Sequence, residues 1–190
     1  KAKFCDVIFH VEGKDLYAHR NVLAAFSPYF DATFKFVKMI DHVNINNCRY
    51  ELFHQFLDYI YTGTVTIQKT TVAEMMKLAN QFMLSKLKSY CEEFLERNLS
   101  IYNCYHTKAI ADDNSLTTLS KMVECFIFAH INDVIEQHEI LEFTDHRIES
   151  FIGNKTVPLT EEMKLGLLVR WVKHDMTTRH MRMFSLLRHI

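Results

Sequence analysis

The spacing of apolar residues changes several times along the first third of the chain. Alternation over Phe4–Val11 places the valines and Phe9 on one face, which predicts a β-strand. Glu12–Asp15 is a turn sequence, and Leu16–Ala18 can return as a second strand. The two runs therefore predict a β-hairpin.

Helical spacing starts at His19 and is interrupted at Ser27-Pro28. Proline suits the first turn of a helix, so this step predicts one short helix followed by another. Val43–Ile45 and Val65–Ile67 are short apolar runs that predict a third and a fourth strand. Apolar residues recurring at intervals of three and four predict further helices over residues 50–61, 71–82 and 85–99.

Beyond Ser100 every long segment has helical spacing, and no strand pattern competes with it. The change of character near Leu99–Asn103 predicts two domains, residues 1–99 and 100–190. The fold class is therefore α+β, a small sheet flanked by helices, followed by an all-α helical bundle. Trp171 is predicted to anchor the core of this bundle. The predicted helices cover residues 103–112, 116–131, 140–141, 145–152, 161–174 and 178–190.

Composition indicates a folded protein, because 48% of the residues are hydrophobic and only four are glycine and two proline. The net charge is −1 with both signs interspersed, so we expect no nucleic-acid partner. No apolar run is long enough for a transmembrane helix, so we expect no membrane partner. The chain starts at Lys1 rather than Met, and we expect it to be part of a longer protein.

The spacing of the cysteines and histidines does not match a disulfide framework or a zinc-binding motif. Five cysteines without a C-x-x-C pair indicate reduced thiols and a cytoplasmic or nuclear location. None of the eleven histidines has the spacing of a zinc motif. Neither a G-x-S-x-G elbow nor a phosphate-binding loop is present, so we expect no catalytic residue, no metal and no cofactor.

Two groups of residues are candidates for protein contacts. Asp6 lies in the predicted buried strand and Arg20 at the start of the next helix, where they form a charged pocket at a subunit contact or, alternatively, an internal ion pair or a solvated Arg20. Phe36 and Met39 lie on a connection without regular spacing. They are either part of a docking surface or part of the local core. For Phe34 we predict local core packing.

Three blocks in the first domain resemble the BTB/POZ domain. They are F-C-D-V at Phe4–Val7, A-H-R-N-V-L-A-A-F-S-P-Y-F at Ala18–Phe30, and L-D-Y-I-Y-T-G at Leu57–Gly63. The second domain resembles the BACK domain that follows BTB in Kelch-like proteins. The residues that carry this second resemblance are Asn103-Cys104, Phe126-Ile127, Ile131, Glu139–Leu141, Trp171–Asp175, Arg179 and Leu186–Arg188.

The resemblance implies a non-catalytic adaptor that forms a homodimer and binds the N-terminal region of Cullin-3 in a RING E3 ubiquitin ligase. A C-terminal module, often Kelch repeats, would bind the substrate protein. Asp6 and Arg20 would face the second subunit in a dimer-interface pocket. The residues expected to contact Cullin-3 are Phe36, Met39, Asp41, Tyr61, Phe82, Met83, Leu84 and Asn103.

The sequence departs from the family pattern at two places. Family dimers are held partly by a helix that precedes the F-C-D block, and this sequence starts three residues before Phe4. Cullin-3 binders usually carry a hydrophobic-x-Glu motif, whereas no Glu occurs from Phe30 to Tyr50 and the nearest equivalent is Met39-Ile40-Asp41. The alternative function is a BTB oligomerisation scaffold that binds a transcriptional co-repressor or a cytoskeletal partner without Cullin-3.

Overall fold

The chain folds into two compact units, Lys1–Asn98 and Leu99–Ile190. The computed structural model describes residues 4–36 and 41–188. The N-terminal unit combines a three-stranded sheet with helices, and the described part of the C-terminal unit is helical. This architecture confirms the predicted fold class.

The predicted β-hairpin is present and is tighter than the turn sequence indicated. Strands β1 (Val7–Val11) and β2 (Lys14–Ala18) pair antiparallel, with Val11 opposite Lys14. The connection is therefore only Glu12-Gly13, and both residues have positive φ, 48° and 74°. Positive φ at both central positions is the geometry of a type I′ turn, in which glycine is favoured at the second position. The Glu12 carboxylate accepts a hydrogen bond from the Tyr50 N–H at 2.9 Å, which fixes the hairpin against a helix start.

The third strand, β3 (His42–Ile45), runs parallel to β1 and completes the sheet order β2-β1-β3. Because β3 is parallel to β1, the chain needs a crossover connection between them. Two helices between β2 and β3 provide it. Gly63, with φ 72°, ends the helix after β3 in the left-handed conformation that glycine adopts without strain. The helices of the N-terminal unit are α1 (Arg20–Phe26), α2 (Pro28–Phe36), α3 (Tyr50–Thr62), α4 (Val72–Gln81) and α5 (Ser85–Arg97).

An aromatic cluster forms the centre of the N-terminal core. Phe30 stacks on Phe82 with ring centroids 4.9 Å apart, and Phe9 contacts Phe53 at 5.1 Å. Ser27 is also buried, and its hydroxyl donates to the Phe82 carbonyl at 2.6 Å while accepting from the Phe30 N–H at 3.3 Å. The Ser-Pro step therefore begins α2 and ties its first turn to the α4–α5 connection.

The prediction of a fourth strand at Val65–Ile67 is wrong. These residues are irregular, and the described sheet contains three strands. Val65 and Ile67 are half-buried and line a groove with Tyr90 and Phe94 of α5. Their apolar side chains therefore face this groove beside α5, without the ladder of hydrogen bonds that a strand needs.

In the C-terminal unit, the predicted helix over 116–131 ends early because His130 leaves the helical conformation, with φ −116° and ψ 28°. The predicted terminal helix is likewise divided into short helices.

In the described part of the chain, no helix has both the length and the apolarity to cross a membrane. The helices are α6 (Cys104–Asp113), α7 (Thr117–Ala129), α8 (Ile131–Ile135), a 3₁₀ helix (His138–Glu142), α9 (Asp145–Gly153), α10 (Glu161–His174), α11 (Met176–Arg179), a second 3₁₀ helix (His180–Arg182) and α12 (Met183–Leu187).

Trp171 anchors the C-terminal core, as predicted. Its side chain is fully buried, and its Nε1 donates to the Phe143 carbonyl at 2.8 Å. The Arg179 guanidinium lies 4.3 Å from the indole ring centroid and donates to the carbonyls of Leu141 and Trp171. The indole and the Arg179 guanidinium together thus connect α10 and α11 to Leu141 and Phe143.

Candidate partner-binding surface

The end of α2 presents the most exposed of the predicted contact residues. Phe36 is the last residue of this helix and is 87% exposed. Asp41 is exposed just before β3, and its carbonyl accepts a hydrogen bond from the Ile8 N–H at 2.8 Å. Met39 lies outside the described residues. Phe36 and Asp41 are therefore available to a partner, and Asp41 is fixed by its backbone to the sheet.

The α4–α5 connection corrects two of the predicted contacts. Phe82 is only 1% exposed and Leu84 is also buried, so neither side chain can contact a partner in this conformation. Met83 between them has φ 55° and is 60% exposed. Backbone bonds from Met83 to Asn80 and from Leu84 to Ala79 hold the turn. The turn thus displays one side chain, Met83, while its neighbours anchor it in the core.

Met83 borders a groove that sequence patterns did not reveal. The groove has a volume of about 330 Å³ and also contains Phe26, Tyr59 and Lys86 in its lining. Phe26 belongs to the apolar stripe of α1, and this pattern favours burial, yet the residue is 44% exposed. The next residues, Ser27 and Pro28, end α1, so Phe26 has no following turn of the same helix to cover it.

The Tyr61 hydroxyl is engaged inside the N-terminal unit. It accepts a hydrogen bond from the His19 backbone N–H at 2.8 Å and lies 2.8 Å from His19 Nδ1. The phenol hydrogen can then be donated to Nδ1, which leaves Nε2 to face the Cys5 sulfur at 3.7 Å. Partial burial raises the pKa of Tyr61, so its phenol stays protonated. Tyr61 can offer only its exposed ring to a partner.

The structure corrects the predicted placement of Asp6 in a buried strand, and the contact of Asp6 and Arg20 with a second subunit stays a prediction. Asp6 precedes β1 instead of lying within it and is exposed. Its carboxylate accepts a hydrogen bond from the Arg20 backbone N–H at 2.7 Å, which satisfies the first turn of α1. The Arg20 guanidinium lies 4.7 Å from the Phe34 ring centroid, and Phe34 stacks on Phe30, as its predicted local packing requires. The Asp6 carboxylate therefore serves as a helix cap.

Asn103 lies in the C-terminal unit and is half-buried. Its side-chain oxygen accepts hydrogen bonds from the N–H and hydroxyl of Ser100, at 2.8 and 3.1 Å. These bonds stabilise the turn that leads into α6. The geometry gives Asn103 a structural role at the start of the unit, and its contact with a partner stays a prediction.

Family comparison assigns both units. A model of the BTB/POZ domain matches residues 1–99, and a model of the BACK domain, described as BTB And C-terminal Kelch, matches residues 104–190. The chain belongs to the BTB-BACK family of Kelch-like proteins. The N-terminal unit is its BTB domain and the C-terminal unit is its BACK domain.

The two Kelch-like relatives agree with the family assignment. Kelch-like protein 24 of Homo sapiens is 35% identical over 195 residues, which cover 98% of this chain and 32% of that protein. Kelch-like protein 2 of Homo sapiens is 30% identical over 190 residues, with the same two coverages of 98% and 32%. The chain thus spans about a third of the length of these curated relatives. The BTB domain of human gigaxonin is 26% identical, with a TM-score of 0.45 over 49% of this chain and 79% of that chain.

The thiols of the two domains favour structural roles. Cys91 and Cys104 are buried, and burial raises the pKa of their thiols to about 12 and about 11. Burial also raises the pKa of Cys48 to about 11. A thiol is a nucleophile only as the thiolate, so these three groups are poorly reactive near neutral pH.

Proposed function

We propose that this chain is the scaffold-binding part of a substrate adaptor in a Cullin-3 RING E3 ubiquitin ligase. The observation that carries the proposal is the succession of a BTB domain and a BACK domain in one chain, residues 1–99 and 104–190. The relatives are about three times as long, so a further module, Kelch repeats in our proposal, would bind the substrate. The five free thiols favour a cytoplasmic or nuclear location, where thiols stay reduced.

The Cullin-3 contact is proposed to centre on the two ends of α2. Phe36 is exposed at its C-terminal end, and Pro28 at its N-terminal end lines the groove that contains Phe26 and Met83. A helix of nine residues is about 13.5 Å long, so one partner covering a standard area of about 800 Å² can reach both patches. Exposed aromatic and methionine side chains are enriched in the centres of such interfaces.

Asp41 takes the position nearest to the family glutamate. Aspartate carries the same carboxylate on a side chain that is one methylene shorter, and Asp41 is exposed before β3. The Asp41 carbonyl accepts a hydrogen bond from the Ile8 N–H. This bond restrains the backbone, so the backbone cannot shift toward the partner to compensate for the shorter side chain. Under this proposal Asp41 contributes charge complementarity, while most of the affinity comes from the apolar side chains.

Substituting Phe36 by alanine is expected to weaken Cullin-3 binding by roughly 1–3 kcal/mol, because an exposed aromatic anchor would be lost from the interface. The measurement is isothermal calorimetry with the N-terminal region of Cullin-3 titrated into the chain. The unsubstituted chain should give a saturable complex at about micromolar concentration or tighter. Thermal stability of the variant should stay unchanged, because Phe36 has little buried surface to lose.

Phe184→Ala is the matched control for this substitution. Phe184 is 82% exposed and lies in α12 of the BACK domain, away from α2 in sequence. Binding should be unaffected by this change. Absence of any saturable heat with the unsubstituted chain would reject the ligase proposal, and equal losses for both phenylalanines would reject the surface at α2.

A homodimer is the second part of the proposal. In this proposal Asp6 and Arg20 face the other subunit. The substitution Asp6→Asn removes the negative charge but keeps a side-chain oxygen that can accept the hydrogen bond from the Arg20 N–H. If this carboxylate contacts the second subunit, the substitution should weaken self-association by about 1 kcal/mol in sedimentation equilibrium without loss of helix content. A monomeric unsubstituted chain would contradict the dimer proposal.

The alternative function is an oligomerisation scaffold for a co-repressor or a cytoskeletal partner. The absence of Glu between Phe30 and Tyr50 favours it, because the family contact with Cullin-3 uses that residue. A chain that dimerises in sedimentation but gives no heat with Cullin-3 would support this alternative. The sequence after residue 190 also separates the two functions, since Kelch repeats favour an adaptor and C2H2 zinc fingers a repressor.

A further inference from the structure

Three side chains of the BACK domain converge at the end of α10. His138 and Glu142 occupy the two ends of the first 3₁₀ helix, and His174 is the last residue of α10. Nε2 of His174 lies 3.3 Å from Nε2 of His138 and 3.5 Å from Oε1 of Glu142. One ligand atom from each side chain lies within 4.8 Å of those of the other two.

Two of the three separations are close to an edge of a tetrahedral coordination polyhedron, and the third, between His138 and Glu142, is 3.7 Å when it is measured from Nδ1 of His138. Two ligand atoms that each lie about 2.0–2.1 Å from a tetrahedral Zn²⁺ are about 3.3–3.4 Å apart. The His138–His174 distance has this value already, and the Glu142 oxygen is only slightly farther from His174. All three side chains are partly exposed, so small rotations can bring their ligand atoms onto one ion without unpacking the core.

We infer that His138, Glu142 and His174 form a zinc-binding site in the BACK domain. A set of two imidazoles and one carboxylate favours first-row transition ions. Ca²⁺ and Mg²⁺ instead prefer oxygen ligands. Three protein ligands leave a fourth position for water. The site has no role in the proposed contact at α2, so it can be tested independently of the ligase proposal.

Bound metal would connect two segments that already share the packing around Trp171. The 3₁₀ helix contains Leu141, whose carbonyl accepts from Arg179, and α10 contains Trp171 three residues before His174. A metal bond across these segments would stabilise the folded BACK domain, because an ion that binds only the folded state raises its stability. Zinc would therefore act as a structural clamp at this end of α10.

Sequence patterns did not indicate this site. His138 and Glu142 are four residues apart, but the third ligand, His174, lies far along the chain in another helix. The available signal was a His-x-x-x-Glu pair followed by a helix that ends in histidine. This signal is too common to identify a metal site before the fold brings the three residues together.

The test is calorimetric titration of Zn²⁺ into the chain without a polyhistidine tag, after dialysis against a chelator. We expect one saturable site in the unsubstituted chain. His174→Ala and Glu142→Gln should each abolish or strongly weaken zinc binding. Glu142→Gln changes an exposed side chain, so it gives a valid test even if His174→Ala misfolds. His146→Ala, an exposed histidine in α9, should bind Zn²⁺ like the unsubstituted chain.

Cobalt provides a second readout. Co²⁺ in a tetrahedral site absorbs visible light strongly, and it should quench the fluorescence of Trp171, the single tryptophan of the chain. Both signals should disappear in Glu142→Gln. Zinc binding that persists unchanged in His174→Ala and Glu142→Gln, or that is lost in Cys125→Ser, would overturn the assignment, as would no binding to the unsubstituted chain.

Discussion

Replacing Trp171 by alanine is expected to destabilise the BACK domain by about 3–5 kcal/mol, because it opens a cavity in a fully buried site. The substitution also removes the indole N–H that donates to the Phe143 carbonyl, which would cost on the order of 1–3 kcal/mol if the carbonyl stays buried. Arg179 would lose the ring that it covers. Urea unfolding followed by far-ultraviolet circular dichroism measures the change without relying on tryptophan fluorescence.

Two further variants separate packing from hydrogen bonding at this position. Trp171→Phe keeps most of the apolar volume but has no N–H, so it should lose less stability than Trp171→Ala. Phe184→Ala removes an exposed aromatic side chain from the same domain and should stay within about 0.5 kcal/mol of the unsubstituted chain. A loss for Trp171→Ala no larger than that for Phe184→Ala would show that the indole does not anchor the core.

Local sequence signals predicted those elements whose cause is local. The hairpin followed from alternation and from Gly13, and α3 ended where Gly63 supplied a left-handed residue. The helix over Glu161–His174 was predicted with the same bounds from its apolar spacing, and the structure shows Thr160 capping its start. In each case the residues that decide the structure lie within a few positions of the element.

Features that depend on distant contacts could not be predicted. Val65–Ile67 has strand-like residues, but Val65 and Ile67 line a groove beside α5 and belong to no strand of the described sheet. Asp6 was expected in a buried strand, and the structure uses it to cap a helix fourteen residues later. Sequence spacing also could not separate Met83 from its neighbours, because three successive apolar residues look alike until the turn directs one of them outward.

Substituting Phe82 by alanine is expected to cost about 3–5 kcal/mol of BTB stability, since Phe82 lies at the centre of the aromatic cluster. Its ring stacks on Phe30 at 4.9 Å and also contacts Phe56 at 5.0 Å and Tyr29 at 5.3 Å. The Ser27 bond goes to the Phe82 backbone carbonyl and is retained in the variant, so the loss reports packing. Thermal and urea unfolding should both register it.

The adjacent substitution Met83→Ala is expected to have the opposite profile. Stability should change by less than about 0.5 kcal/mol, because the side chain is 60% exposed and alanine keeps the same Cβ constraint at φ 55°. If the groove beside Met83 takes part in Cullin-3 binding, affinity should fall by roughly 1–3 kcal/mol. Comparing the two variants in the same calorimetric and unfolding assays separates core from surface within one turn. Loss of binding by a stably folded Phe82→Ala, with no effect of Met83→Ala, would mean that the turn rearranges when the partner binds.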